Sequence, residues 1–94
     1  MFVFEWDTQK EAQNIEKHGV SFETASIAFS DTNVILASDE EHSKGEERWF
    51  CYGLVDGDVM TVRFTMRGNA IRIIGAAYWR KGRKLYEKAY RDIR

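Results

Sequence analysis

The chain has 94 residues, of which 44% are hydrophobic and 14% aromatic, which predicts one small domain over residues 1–94 with a single core. The formal net charge of −1 hides a sorted distribution, because residues 1–60 carry 4 Lys/Arg and 13 Asp/Glu while residues 61–94 carry 10 and 2. No stretch approaches the ~20 apolar residues of a membrane span, and the N-terminus lacks signal-peptide features, so we expect a cytoplasmic protein with no membrane partner.

A strand and a helix are predicted first along the chain. Aromatic residues alternate over residues 2–6, which is typical of a short strand. Asp7 can cap a helix over residues 8–18, and Gly19 is a stop signal for it. The apolar stripe of this helix is thin, so we expect it to pack at the edge of the domain. The stripe consists of Ala12 and Ile15.

A second helix is predicted over residues 22–29, with Ser21 as its N-cap. Its apolar residues are denser than those of the first helix, so it should bury more of its surface. The expected buried face consists of Phe22, Ala25, Ile27, Ala28 and Phe29.

Beyond residue 34 the hydrophobic period changes to two, which predicts four strands. Tight-turn residues separate the last three strands, so these should form an antiparallel meander. In the third strand the apolar residues share one face, which places Arg63 on the other face, away from the core. The predicted strands cover residues 34–36, 49–55, 59–66 and 70–74.

The chain closes with a predicted basic helix over residues 79–93, and the element order indicates an α+β fold. Cys51 is the only cysteine and lies in an apolar run, so we expect a buried thiol and a reducing compartment. The apolar face of the helix is expected to contain Leu85, Tyr86, Ala89, Tyr90 and Ile93.

The cationic segment, residues 61–94, is the first candidate functional feature. Its arginines and lysines alternate with tyrosines and a tryptophan, a combination that single-stranded RNA binders use for phosphate contact and base stacking. The pattern fits two other interpretations: a solvated basic helix whose aromatic residues are core, or a surface that docks an acidic protein.

Histidines and acidic residues give few further candidates. His18 is expected to complement a helix C-terminus, while His42 in the charged loop 39–47 is either a solvated side chain or a base. No spacing of His, Cys or carboxylates suggests a metal site, so we expect neither a metal nor a cofactor. RNA cleavage can proceed without a metal, because the 2′-hydroxyl is an internal nucleophile and the protein need supply only cations and proton-transfer groups.

A set of short motifs runs in order along nearly the whole chain. They are Phe4-Glu5-Trp6-Asp7, Lys17-His18-Gly19-Val20-Ser21-Phe22-Glu23-Thr24-Ala25, Phe29-Ser30-Asp31, His42-Ser43-Lys44-Gly45-Glu46-Glu47-Arg48, Tyr52-Gly53-Leu54, and Thr65-Met66-Arg67-Gly68-Asn69 with Ile71-Arg72-Ile73-Ile74. As a set they resemble the BrnT toxins of bacterial type II toxin–antitoxin systems.

The resemblance implies a compact RelE-like α+β fold and a metal-independent ribonuclease that cleaves mRNA and arrests translation. It also implies neutralisation by a BrnA antitoxin of the ribbon-helix-helix type, with operator DNA contacted only through that antitoxin. Carried over by motif, the arginines of the family match Arg48, Arg67, Arg72 and Arg83, together with Tyr86. We therefore expect catalytic roles for Arg67, Arg72, Arg80, Tyr86 and His42, and RNA-binding roles for Arg48, Arg63, Lys81, Arg83 and Lys84.

The chain departs from the family pattern at three positions. Many relatives have an arginine where this chain has Ala77, a glutamate at Gly82, and a glutamate at Met66. Arg80 and Lys81 lie close enough in sequence to replace the missing charge. The alternatives to a ribonuclease are a nonenzymatic member that serves as the antitoxin-binding half of a repressor, and a stand-alone basic interaction domain.

Overall fold

The structure is a computed structural model that describes the backbone of residues 2–93 and side chains as far as residue 90. Ile93, which the sequence places on the apolar face of the last helix, therefore has its side chain outside the described part. The elements are β1 (Val3–Trp6), α1 (Thr8–His18), α2 (Phe22–Ser26), a 3₁₀ turn (Ile27–Ser30), β2 (Ile35–Ser38), a second 3₁₀ turn (Glu40–His42), β3 (Arg48–Val55), β4 (Asp58–Arg67), β5 (Ala70–Ala77) and α3 (Arg80–Ile93).

One five-stranded sheet organises the chain, with the strand order β1-β5-β4-β3-β2. The neighbours among β2, β3, β4 and β5 pair antiparallel, which confirms the predicted meander and the α+β class. β1 pairs with β5 in parallel, so the sheet is mixed. Helices α1 and α2 lie on one face of this sheet, and α3 packs against the other.

The ends of α1 are those that the sequence predicts. The Asp7 carboxylate accepts hydrogen bonds from the backbone N–H groups of Gln9 and Lys10, at 2.8 and 3.0 Å. Gly19 ends the helix with a φ of 69°, a left-handed conformation that glycine adopts without steric cost.

Helix α1 exposes most of its residues, as expected for a helix at the edge of the domain, but its apolar stripe does not make the contact, because the exposed fraction of Ile15 is 46% and Ala12 is also exposed. Asn14 is the buried residue of this helix. Its amide donates to the carbonyls of Val20 and Ala76, both at 2.9 Å, and its side-chain oxygen accepts from the Ala76 N–H at 3.1 Å. A polar contact with β5 thus fixes α1, which apolar periodicity could not predict.

The second predicted helix is shorter than expected, since α2 ends at Ser26 and the chain continues as the 3₁₀ turn Ile27–Ser30. The tighter turn rotates Ile27 outward, where 52% of it is exposed, so its predicted burial is wrong. Gly53 of β3 lies against this turn, because a Cβ at that position would overlap the Ala28 carbonyl.

The main core lies between the sheet and the pair α1 and α2, the side that we call the helical face. Phe22, Met60, Val62 and Ile73 are almost fully buried there. Cys51 is also buried, which confirms the expected buried thiol, and burial raises the pKa of that thiol to about 12.

Helix α3 begins at Arg80 and not at Trp79. Only part of its predicted apolar face is correct, because Tyr86 is buried whereas Leu85 is 45% exposed. Tyr86 packs with Tyr52 and Val59 in a second, smaller cluster on the opposite side of the sheet from the main core. Within the described residues, no helix is long and apolar enough to cross a membrane.

Candidate active site on the open sheet face

The sheet face on which α3 packs remains open beyond the helix, and three arginines lie on it. We call this surface the arginine face and define it by Arg48, Arg63 and Arg72 with Thr65 and Phe50. Strand register fixes the arrangement, because Thr65 pairs with Arg48 on one side and with Arg72 on the other. Neighbouring strands lie about 4.8 Å apart, so these three residues form one row across the sheet.

A second row lies two residues along the strands, about 7 Å from the first. Arg63 and Phe50 are directly opposed in it. The apolar neighbours of Arg63 in β4, Val62 and Phe64, are buried in the main core. Alternation along the strand therefore turns Arg63 to the open face, which confirms the predicted orientation of its side chain.

Two arginines of this face have incomplete hydrogen bonding. The Nε atoms of Arg48 and Arg63 are buried and have no hydrogen-bond partner among the described residues. A buried donor without a partner is costly, and folded proteins rarely retain one without a reason. Both side chains are partly exposed, so an anion can contact the outer part of each guanidinium, while the buried Nε atoms themselves are out of its reach.

Arg72 has a partner on the neighbouring strand. Its Nη1 donates to Glu5 Oε2 at 2.7 Å, and their side chains are 24% and 40% exposed. Glu5 and Arg72 are opposed in the parallel pairing of β1 with β5, so this pair extends the first row to the edge of the sheet. A carboxylate at this edge orients the guanidinium while water still reaches it.

The charged loop contributes a pair of side chains that the sequence analysis missed. Asp39 is 4% exposed, and both of its carboxylate oxygens lie 3.1 Å from His42 Nδ1. His42 itself is 51% exposed on its side chain. A proton on Nδ1 that points to the carboxylate leaves Nε2 as the accepting nitrogen, which is the arrangement of an oriented general base. The only available signal was the Asp-x-x-His spacing, and a run of charges hides it.

Backbone contacts place this pair beside the arginine face. The Asp39 N–H donates to the Arg48 carbonyl at 2.8 Å, and the Arg48 N–H donates to Ser43 Oγ at 3.0 Å. Burial raises the pKa of Tyr52, and the negative charge of Asp39 raises it further. Because Tyr52 lies on the same sheet face as Arg48, the Asp39–His42 pair lies at the border of the arginine face.

The start of α3 forms a groove next to the second row, which we call the α3 groove. Its volume is about 370 Å³. Gly82 lets the helix approach closely, because a Cβ there would overlap Thr61 Oγ1 and would lie 2.9 Å from the Tyr52 ring. The groove is lined by Phe50, Tyr52, Thr61, Trp79, Arg80, Lys81 and Gly82.

The remaining candidate cations are divided between the two ends of the sheet. Arg67 is exposed at the end of β4, on the same side as the first arginine row. Arg83 lines a small cavity with Asp58 and Tyr78 at the opposite end of β4, and Lys84 is exposed on α3. Of the expected RNA-binding residues, Arg48, Arg63 and Lys81 therefore lie on or beside the arginine face, whereas Arg83 lies away from it.

Tyr86 is held away from these groups. Its hydroxyl donates to Asp31 Oδ2 at 2.6 Å, near the start of β2. Burial raises the pKa of Tyr86 to about 12, helped by the hydrogen bond to the Asp31 carboxylate. Burial alone would raise the pKa of Asp31, but the hydrogen bonds from Tyr86 and from the backbone of Asn33 and Leu54 lower it overall. This is the geometry of a structural contact.

His18, expected to complement the end of α1, lies in the last turn of that helix. Its ring packs edge-on against Trp79, with ring centroids 5.4 Å apart. Among the side chains that the structure describes, no three His, Cys, Asp or Glu residues are grouped so as to hold a metal ion.

Fold and site together define a small α+β domain that presents arginines, a histidine and aromatic side chains on one open sheet face. The chain matches the family model of the ribonuclease toxin BrnT of type II toxin–antitoxin systems over residues 6–82, and it therefore belongs to this family. The match spans both sheet faces and ends at Gly82, at the start of α3. No curated protein matches the chain significantly.

Proposed function

We propose that the chain is a metal-independent endoribonuclease that cleaves mRNA in the cytoplasm and thereby arrests translation. Family membership supports the ribonuclease class. The observation that carries the proposal is the group of three partly exposed arginines, Arg48, Arg63 and Arg72, that strand register brings together on the open face. A phosphodiester is the RNA group that such cations bind.

The proposed reaction uses the 2′-hydroxyl of the substrate as the nucleophile. His42 Nε2 accepts its proton while the bond from O2′ to phosphorus forms, and Asp39 holds the imidazole in the required orientation. Arg48, Arg63 and Arg72 stabilise the charge of the pentacoordinate phosphorane. The bond from phosphorus to O5′ then breaks, and the leaving oxygen takes a proton from solvent. The products carry a 2′,3′-cyclic phosphate and a 5′-hydroxyl.

The other expected catalytic residues have different roles in this proposal. Arg67 and Arg80 lie at the two ends of the arginine face, where they can bind the RNA backbone on either side of the reacting phosphate. Tyr86 takes no part, because its hydroxyl is bound to Asp31 and a pKa of about 12 keeps it protonated at neutral pH.

We further propose that a BrnA-type ribbon-helix-helix antitoxin neutralises the toxin and that the complex contacts operator DNA only through the antitoxin. A second groove, of about 410 Å³, supports a docking position at the far end of the helical face. Leu36 and Met66 are 57% and 47% exposed there, and Glu46 and Glu47 line the rim. Apolar walls with an acidic rim fit a partner segment that carries apolar residues flanked by Lys or Arg.

The test is incubation of the purified, antitoxin-free protein with total RNA in EDTA, followed by analysis of the fragment ends. We expect fragments with 2′,3′-cyclic phosphate ends. Arg72→Ala should fold, lose this activity and no longer arrest growth, because the side chain is on the open face and outside the main core. Lys88→Ala is the matched control, since it removes a cation from an exposed position of α3 away from the site. Equal activity of both variants would contradict the assignment of the arginine face.

A second candidate is a nonenzymatic member that acts as the antitoxin-binding half of a repressor. The observation in its favour is Ala77, which replaces the arginine customary in the family and is only 4% exposed. Intact RNA in the same assay, together with tight antitoxin binding and unaffected growth upon expression, would establish this second function.

A further inference from the structure

We propose that the α3 groove is a nucleobase-binding subsite, in which the base of the nucleotide at the reacting phosphate stacks on Phe50. This inference rests on the proposed ribonuclease function and names how the same site would hold its substrate. Nothing in the family match assigns a role to this groove, which shares Phe50 with the arginine face and extends from it to the start of α3.

Strand register places Phe50 and Arg63 side by side. Phe50 on β3 is directly opposite Arg63 on β4. Directly opposed residues of an antiparallel pair have Cβ atoms about 4.5–5.5 Å apart, so the aromatic ring and the guanidinium are immediate neighbours. A nucleotide whose phosphate contacts Arg63 can therefore place its base over Phe50 without a change in the sheet.

The groove has aromatic walls on which a planar base can stack. Phe50 is half-buried and stacks on the Tyr52 ring, with centroids 5.9 Å apart and an angle of 23° between the ring planes. Tyr52 is 7% exposed, so Phe50 is the part of this stack that the groove presents. Trp79, at 36% exposure, lines the groove with it. A planar base fits against such walls, and a volume of about 370 Å³ lies within the range of small-ligand pockets.

The charge of the rim supports a nucleotide over other planar ligands. Arg80 and Lys81 line the groove and are exposed at the start of α3. Their cations would contact a phosphate of the chain next to the stacked base, while Arg63 contacts the reacting phosphate. Aromatic surfaces between cations are the combination by which proteins hold single-stranded RNA.

The shape of the α3 groove depends on the glycine at position 82. Without a Cβ, the first turn of α3 lies directly on Thr61 and Tyr52, and these residues form the floor beside Phe50. A side chain at position 82 would displace the start of the helix, and with it the rim cations. The glycine at position 82 thus helps to set the shape of the proposed subsite.

The experiment uses a short oligoribonucleotide with 2′-O-methyl groups, which binds but cannot be cleaved. A 2-aminopurine is placed at each position in turn, so anisotropy reports affinity and quenching of its fluorescence reports stacking. We expect strong quenching at one position only. Phe50→Leu should abolish this quenching and weaken binding about tenfold, whereas Phe50→Tyr should retain both. Phe2→Leu, an exposed phenylalanine outside the groove, is the matched control.

An abasic nucleotide at the quenched position provides the decisive comparison. It should weaken binding to the unmodified protein about tenfold and leave binding to Phe50→Leu unchanged, because the contact is already lost there. Binding that depends on Arg63 but is indifferent to Phe50 and to every abasic position would overturn the subsite and leave the ribonuclease proposal standing. Absence of any oligonucleotide binding would overturn both.

Discussion

The two faces of one sheet differ in how completely their polar groups are paired. On the helical face, the buried Asn14 amide makes three hydrogen bonds with backbone groups of Val20 and Ala76. On the arginine face, the Nε atoms of Arg48 and Arg63 and the Thr61 hydroxyl are buried without a partner among the described residues. The same strands supply both faces, so residue burial alone would not separate them. Polar pairing distinguishes the face that stabilises the fold from the face on which we propose that RNA binds.

The largest expected effect is on catalysis by the arginine face. Arg63→Ala should lower the rate of RNA cleavage about 10²–10³-fold, because it removes a preorganised donor to the transition state. Its melting temperature should change little, since the lost Nε has no partner in the fold. Cleavage kinetics and thermal unfolding measured on the same preparation check both expectations. A strongly destabilised variant would contradict the contrast between the faces.

The opposite pattern is expected on the helical face. Asn14→Ala should lower the free energy of unfolding by about 2–3 kcal/mol, because it leaves two carbonyls and one N–H buried and unpaired. Cleavage per folded molecule should remain unchanged. Urea denaturation provides the measurement, with Gln13→Ala on the exposed side of the same helix as the control. A loss of less than 0.5 kcal/mol, within the usual range of surface substitutions, would show that water replaces the amide.

Tyr86→Phe tests whether α3 is held for stability or for chemistry. Loss of the hydrogen bond to the Asp31 carboxylate should cost about 2 kcal/mol at neutral pH and leave cleavage within about twofold of the original rate. The pKa of Tyr86 is raised from 10.0 to about 12, so the fold favours the protonated form. Its contribution is complete below pH 10 and is lost as the pH rises through 12. Unfolding experiments across this range should show the two proteins converging, whereas a constant difference would refute the assignment.

The smallest effect is expected at the contact between α3 and the sheet. Gly82→Ala gains up to about 1 kcal/mol of helix propensity but forces the helix away from Thr61 and Tyr52, at a cost of about 1–3 kcal/mol. We expect a net loss of about 1 kcal/mol and weaker RNA binding. Lys88→Ala, at an exposed position of the same helix, is the control for both measurements. A stabilised variant would mean that the helix shifts freely over this face.

Local signals in the sequence predicted much of this architecture. Asp7 and Gly19 bound α1 as expected, because caps depend on neighbouring residues only. The meander followed from its turns, and Arg63 was assigned to the correct face because alternation along a strand is strict. The parallel pairing of β1 with β5 was not predicted, because no local sequence signal indicates that Val3 and Ala70 are paired.

The candidate site was predicted in part, and its omissions have physical reasons. Charge identified the arginines, but the charge run around His42 concealed Asp39, whose burial depends on how β2 meets β3. Helix propensity could not predict that Gly82 lies in close contact with the sheet. Tyr86 was expected to be catalytic because of the family resemblance, whereas its hydroxyl binds Asp31.

The parallel pair of β1 and β5 has a consequence for synthesis of the protein. Glu5 and Arg72, which meet through this pair, are 67 residues apart in sequence. Contacts between residues so far apart in sequence form late, after the local hairpins. The chain leaves the ribosome from its N-terminus, so β1 emerges first and can pair only after β5 has also emerged. The ion pair at the edge of the arginine face therefore forms only after β5 has been synthesised and has paired with β1.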